Sequence, residues 1–525
     1  PQSSRQRLSL MGLRNAIAQA HYPKSSSQWQ VARRRLAFDE MFLLQLAFLS
    51  RKRNWQQEAD GISLRGNGDA LSAFLERLPF DLTSSQQRVL GEIVEDLAND
   101  QPMSRLVQGD VGSGKTVVAV AALLVAVSSG YQGAMMAPTE ILAEQHFITV
   151  SHLLSGATSV SEGDGLITVK PNPSAASLTL GLLIGSLPRK AKEEMHRRVT
   201  AGEVDVVIGT HALLQDDVEI PRLALAVIDE QQRFGVMQRA AIRGKVTRPH
   251  LLAMSATPIP RSLSLTVYGD LDISVIDELP PGRQDIRTRW VESDRRATAY
   301  GFIGKQVAEG RQAFVICPLI EESEAIQARA AVKEYERLST QVFPDLKLGL
   351  IHGRMALREK ERVMGEFQRG ELNILVSTPV VEVGIDVPNA TVMLIDGADR
   401  FGLAQLHQFR GRVGRGEHQS YCLLLADSPG KEARERLKIM ERIRDGFELA
   451  EEDLRLRGPG DYVGTRQSGL PPFRIARITD HDILSLARKE AMRLLDGDPH
   501  LKRNDSAAIA NRMSQIMPAL ADEMS

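Results

Sequence analysis

The eight residues Gly109–Thr116, GDVGSGKT, constrain this chain more than any other feature. They fit the pattern G-x-x-x-x-G-K-[ST]. They follow a short apolar run readable as a strand, Arg105–Gln108, and they open a long apolar stretch, Val117–Val127. A glycine-rich loop cradles phosphate in that setting. Gly109, Gly112 and Gly114 let the backbone turn, with Ser113 between them, so that N–H groups converge on phosphate oxygens. The start of the following helix adds partial positive charge. Lys115 is expected to reach the β- and γ-phosphates and Thr116 to ligate Mg²⁺.

Such a loop needs a parallel sheet behind it, and the flanking sequence reads as one. Between Leu78 and Leu279 candidate strands at Arg105–Gln108, Gly133–Ala137, Val204–Gly209, Leu225–Asp229 and His250–Ser255 alternate with helical runs. A second alternating block has candidate strands at Gln312–Cys317, Leu346–Ile351, Ile374–Ser377, Thr391–Ile395 and Ser420–Leu425. The Pro/Gly-rich run Asp277–Asp285 separates the blocks. The expected fold is therefore α/β, with two parallel-sheet lobes in tandem and a cleft between them. Proposed divisions are a helical segment 1–77, a first lobe 78–282, a second lobe 283–444 and a C-terminal extension 445–525. Val31–Arg53 has the apolar spacing of a long packed helix, with nucleic-acid contact as the alternative. Ser155–Ser177 reads as a surface loop with room for a short hairpin. Leu454–Phe473, LRLRGPGDYVGTRQSGLPPF, is too rich in Gly, Pro and Arg to be read as a helix.

Composition excludes several classes. Lys+Arg is 65 and Asp+Glu 66, so any polyanion contact must come from local basic patches. The two cysteines, Cys317 and Cys422, lack metal-ligand spacing and point to a reducing compartment. No apolar run approaches the roughly 20 residues of a membrane helix, and the N-terminus has no secretory pattern.

A phosphate loop needs a second, acidic site. LAVIDE (Leu225–Glu230) is an apolar strand ending in two carboxylates. Asp229 is expected to hold Mg²⁺ through its water shell, and Glu230 to orient the attacking water. Alone, the pair is also compatible with a solvated strand end. In LPFDLTSSQ (Leu78–Gln86), Phe80 can stack on adenine and Gln86 can bond its edge. The alternative is a core Phe beside a helix capped at Thr83.

GDVGSGKT, APTEILAEQH, DEQQ, MSATPIPR, HGRM, VVEVGIDVPNA and QFRGRVGRG occur in this order. Together they resemble the motifs of superfamily-two helicases. With VARRRLAFDEMFLLQLAFL and RLRGPGDYVGTRQSG they resemble, from about Leu8 to about Asp498, the bacterial RecG branched-DNA helicases. The resemblance implies two RecA-like lobes, ATP and Mg²⁺ between them, and sequence-independent binding of duplex and branched DNA such as forks and Holliday-type junctions. It implies a motor that regresses stalled forks in repair and recombination. It also implies a monomer in the bacterial cytoplasm, near the nucleoid, with single-strand-binding protein as a partner.

Carried over residue by residue, Arg412 and Arg415 complete the ATP site from the second lobe, with a solvated basic loop as the alternative. Asp386 accepts from the ribose. Pro138, Thr139, Thr210, His211, Arg354 and Thr378 lie on the DNA face. Ser255 and Thr257 link the Mg²⁺ site to that face, or form an ordinary strand-end turn. Arg455, Arg457 and Arg466 belong to a helical hairpin and loop that turn lobe movement into translocation, or to a basic surface loop. Gln232 replaces the His usual in the family's DEQH, so coupling between hydrolysis and DNA is expected to change. Pro379 and Ser262 stand where Thr is expected. The family's wedge domain is not in this sequence, so either the chain is part of a longer one or this homologue lacks a strand separator. The rival reading is a nucleotide-dependent clamp on branched DNA with weak hydrolysis.

Overall fold

The valine-rich run after the phosphate loop has modest intrinsic helix propensity, because β-branched side chains lose rotamer freedom in a helix. It is nonetheless the helix Lys115–Ser128, and Val117–Val127 is buried throughout. Burial on every side overrides propensity here, as expected of a helix with no polar face. The computed structural model describes residues 2–57, 61–66, 68–155, 159–163, 165–170, 177–210, 213, 218–230, 249–256, 271–280, 284–317, 324–379, 387–461, 473–477, 480–503 and 506–513.

The first lobe is built on β1 (Ser104–Gly109), β2 (Gln132–Met136), β3 (Ser159–Gly163), β4 (Leu166–Val169), β5 (Leu178–Leu183), β6 (Val206–Gly209), β7 (Leu223–Ile228), β8 (His250–Ser255) and β9 (Asp272–Ile276). Their order is β3-β4-β5-β6-β2-β7-β8-β1-β9. All neighbours are parallel except the β3–β4 and β4–β5 pairs. Along β7, Leu225 and Val227 face the cluster containing helix Lys115–Ser128, while Ala226 and Ile228 face the opposite one. Alternation therefore buries both faces, as helix-covered parallel sheets require.

The second lobe carries β10 (Arg287–Glu292), β11 (Gln312–Ile316), β12 (Leu348–Ile351), β13 (Ile374–Ser377), β14 (Ala390–Ile395) and β15 (Tyr421–Ala426), ordered β10-β15-β14-β11-β13-β12 and parallel throughout. Cys317 and Cys422 are buried free thiols.

The ten expected strands are present to within about two residues at their ends. Three others, β5, β9 and β10, carry weak signals. β5 contains Gly181, whose missing Cβ leaves room for the Met195 sulfur, and β9 and β10 are edge strands with polar positions. The Ser155–Ser177 segment contains the antiparallel β3–β4 pair. The non-helical reading of Leu454–Phe473 fails for its first part. Helix Gly446–Asp461 continues past Gly458 and Pro459. Leu449 and Leu454, in the part of the helix before Gly458, are buried, Leu449 in the second lobe's core, and burial of that kind overrides intrinsic propensity.

The two ends of the chain meet. Helix Ser26–Gln57, longer than the expected Val31–Arg53, packs on helix His481–Gly497, with Phe38, Met41, Phe42 and Leu46 against Leu484, Ala487 and Ala491. Arg33 reaches both carboxylate oxygens of Asp480, at 2.7 and 3.0 Å, and Lys52 ties the same helix to Asp272 of β9 at 2.5 Å. Among the described residues no helix is long and apolar enough to cross a membrane.

His250 stitches the 61–66 segment to the first lobe. Its Nδ1 accepts from the Met103 N–H at 2.9 Å, so its proton sits on Nε2 and is donated to the Ile62 carbonyl at 2.6 Å. Burial pushes its pKa down. The unfolded chain then binds more protons than the folded one below the ordinary His value of about 6.5, so stability is full above that pH and falls as the pH drops through it. Thermal melts of wild type and His250→Gln across that range should show a smaller acid-side loss of Tm in the variant.

Candidate nucleotide site at the lobe interface

The phosphate loop leaves the carboxyl end of β1, and Asp229–Glu230 leaves the carboxyl end of β7. Only β8, ending at Ser255, lies between them. Parallel strands deliver all three termini to one crevice, the usual binding position in open α/β sheets. Loop geometry follows from its glycines. Gly112 and Gly114 have φ of 78° and 80°, a region costly for other residues. A Cβ on Gly114 would also lie 2.3 Å from the Gln86 amide nitrogen.

Lys115 is buried, with its ammonium 2.9 Å from the Gly109 and Asp110 carbonyls. Burial drives its pKa down against the opposing pull of Glu230, Asp229 and Asp110. Asp229 holds two fixed bonds. Oδ2 meets His146 Nε2 at 2.7 Å, and Oδ1 accepts the Glu230 N–H at 2.9 Å. Burial alone would raise its pKa, but His146, Lys115 and the Glu230 N–H outweigh that and leave it lowered, hence ionised. Glu230 is 9% exposed and has φ of 51°. A non-glycine residue in that region is held there by its surroundings, and such strain concentrates at functional sites.

The second lobe closes the crevice. Arg412 and Arg415 line a cavity of about 460 Å³ together with Lys115, Thr116, His146, Asp229 and Glu230. Arg412 is buried, and Arg415 is close enough to Lys115 to depress its pKa. Gly411 sits directly on the phosphate loop, where a Cβ would lie 2.8 Å from that of Val111. His407 Nε2 reaches Asp110 Oδ1 at 2.6 Å. Three cations and two strand-end carboxylates around one cleft suit a polyanion with a metal counter-ion.

Gln86 is 2% exposed and already engaged at both ends. Its oxygen accepts from the Thr83 N–H at 2.8 Å, and its amide donates to the Ser113 carbonyl at 2.9 Å. Thr83 caps helix Ser84–Leu97 in a reciprocal capping box. Gln86 thus braces the phosphate loop, while Phe80 is 43% exposed nearby in sequence.

Of the DNA-face residues, Pro138 and Thr139 follow β2, and Thr210 follows its neighbour β6. Arg354 follows β12, and Thr378 follows its neighbour β13. Thr139 Oγ1 also caps helix Glu140–Ser155 at Leu142 N. Arg354 is exposed, whereas Thr210, Ser255 and Thr378 are buried. Arg455 is exposed on helix Gly446–Asp461 and paired with Glu452. His211, Gln232, Thr257, Asp386, Arg466 and the side chain of Arg457 lie outside the described residues. The sequence reading misses His146, His407 and Asp110, whose partners are far away in the chain.

Three family models match the chain: DEAD/DEAH box helicase over residues 83–265, helicase conserved C-terminal domain over 296–417, and ATP-dependent DNA helicase RecG, domain 3, C-terminal over 443–522. An ATP-dependent DNA helicase RecG of Bacillus subtilis is 45% identical over 514 residues, which are 98% of this chain and 73% of that protein. The chain belongs to the RecG family. The RecG of Synechocystis sp. is 49% identical over 97% of this chain and 59% of its own length. A solved RecG bound to a three-way DNA junction superposes with a TM-score of 0.74 at 42% identity, covering 94% of this chain and 61% of that one. The chain thus spans about three fifths of the length of two of these three RecG relatives.

Gly411→Ala tests the contact between the lobes. Its methyl would force Val111 and the loop apart, and ATP turnover should fall by about tenfold or more, while a thermal melt changes little.

Proposed function

We propose that this chain is the ATP-driven DNA motor of a RecG-type helicase, which moves along duplex DNA, regresses stalled forks and migrates branched junctions. The observation that carries it is the single cleft in which β1, β7 and the Gly411–Arg415 turn meet. Family membership and the junction named for the solved relative support DNA as the track. The division at 78, 283 and 445 rests on the strand pattern and the Pro/Gly-rich linker, while monomeric action, a place in the cytoplasm on the nucleoid, and contact with single-strand-binding protein rest on the resemblance alone.

In this reading Lys115 and the loop N–H groups hold the β- and γ-phosphates. The donor set fits Mg²⁺. Thr116 offers a hydroxyl at the helix start. Asp229 is ionised, and its two anchored oxygens suit contact through water. When bound, the metal neutralises phosphate charge. Glu230 accepts from the attacking water and orients it. Arg412 and Arg415 bring positive charge to the transferring phosphoryl, an effect worth about 10³-fold or more in kcat for arginine fingers generally. Because both arginines sit on the second lobe, hydrolysis requires lobe closure. Thr139 and Arg354 then hold the phosphate backbone without reading bases, with Pro138 and the buried Thr210 and Thr378 beside them at the same strand ends. A second reading, a clamp with weak hydrolysis, draws on Gln232 in DEQQ.

ATP hydrolysis with no nucleic acid, single strands, duplex, a model fork and RNA decides between them. Strong stimulation by duplex or fork is expected. Binding without stimulated turnover favours the clamp, and a preference for RNA overturns both. Lys115→Ala and Glu230→Gln should each lower turnover by about 10²-fold or more, whereas normal steady-state rates would remove these residues from the site. Arg466→Ala should keep most ATPase activity and lose fork unwinding. Parallel loss of both would end its role in coupling.

A further inference from the structure

We propose that His407 is a positioning residue that ties the phosphate loop to the corner from which the C-terminal arginine-glycine segment departs. This rests on the motor reading above and adds a route by which the nucleotide site and the DNA-moving element sense each other.

The route is a chain of directional bonds. Arg410, at the end of helix Leu403–Arg410, is 4% exposed. Its guanidinium donates to the carbonyls of Met440, Ile443 and Arg444 at 3.1, 2.9 and 2.9 Å, and its Nη2 also lies 2.8 Å from His407 Nδ1. A guanidinium has no acceptor, so His407 Nδ1 must accept. The imidazole proton therefore sits on Nε2, where it is donated to Asp110 Oδ1 at 2.6 Å. The same oxygen accepts the Val111 N–H at 2.6 Å, and the Asp110 carbonyl accepts from Lys115. His407 is 4% exposed and uses both ring nitrogens, one toward each lobe.

Each link has a physical consequence. The carbonyls that Arg410 holds lie at and after the end of helix Lys431–Arg442, and helix Gly446–Asp461 begins immediately beyond them. Phosphate oxygens are stronger acceptors for Lys115 than the Gly109 and Asp110 carbonyls it now bonds. A nucleotide that draws Lys115 away releases the peptide units flanking Asp110, and the carboxylate moves with them. His407 is clamped from behind by Arg410, so it transmits that displacement or breaks its bond to Asp110. A buried donor or acceptor left unpaired is costly, which favours transmission.

The test uses the 525-residue chain. His407→Phe keeps the ring's bulk and removes both bonds. It should lower the fork-stimulated kcat for ATP by about tenfold while the KM for ATP moves less than about threefold. Asp110→Ala should show the same loss of stimulation, and Asp110→Asn, which keeps the acceptor for His407, should restore most of it. Because the two residues act as one unit, Asp110→Ala/His407→Phe should be no more than about twofold worse than the poorer single variant. Losses that multiply, or an Asn variant no better than the Ala variant, would overturn the proposal. If His407→Phe fails to melt cooperatively, the Ala and Asn variants at Asp110 carry the test without altering the second lobe. If wild type itself is not stimulated by fork or duplex DNA, the motor reading fails first and takes this one with it.

Discussion

Helix Lys115–Ser128 has no polar face, and the first lobe is arranged around that fact. It can exist only with apolar neighbours on all sides. The sheet lies on one side, and helices Gly68–Glu76 and Ser84–Leu97 cover it on the other. Its N-terminus is thereby fixed above the carboxyl ends of β1, β8 and β7. The phosphate loop inherits that rigidity, with Gln86 bracing it from the adjoining helix. A site that must hold charged groups in one geometry gains from being mounted on elements that cannot shift.

The second lobe contributes little to that frame and much to its chemistry. It brings two guanidinium groups, one glycine that lets backbones approach, and one histidine bonded across the interface. Like charges gathered this way repel one another: burial lowers the Lys115 pKa most, and the positive charge of Arg415 adds to it. A polyanion relieves that repulsion, so the two lobes hold each other best with phosphate between them.

Much of this was legible in residue order. The phosphate loop, the strand ending in Asp229–Glu230 and the arginines of QFRGRVGRG carry local spacing, and local spacing is what a sequence displays. The His146–Asp229 and His407–Asp110 bonds join residues 83 and 297 positions apart. Nothing in periodicity reports such pairs, because the topology of the sheets creates them. The helix through Gly458 and Pro459 was hidden for another reason. Its composition argues against helix, and only the family resemblance, with its helical hairpin, points the other way. Gln86 illustrates a third limit, since one motif residue can serve as cap, brace and ligand contact, and its type alone does not rank them.

The bundle formed by the chain's two ends changes the mechanics of the whole. Helix Ser26–Gln57 is fastened to the first lobe through Lys52, and helix His481–Gly497 is fastened to that helix. The second lobe therefore hangs between two moorings on the same body, one on each side of it in sequence. Both sequence neighbours of the second lobe are thus anchored on one body, so its placement over the nucleotide cleft is set from two directions at once.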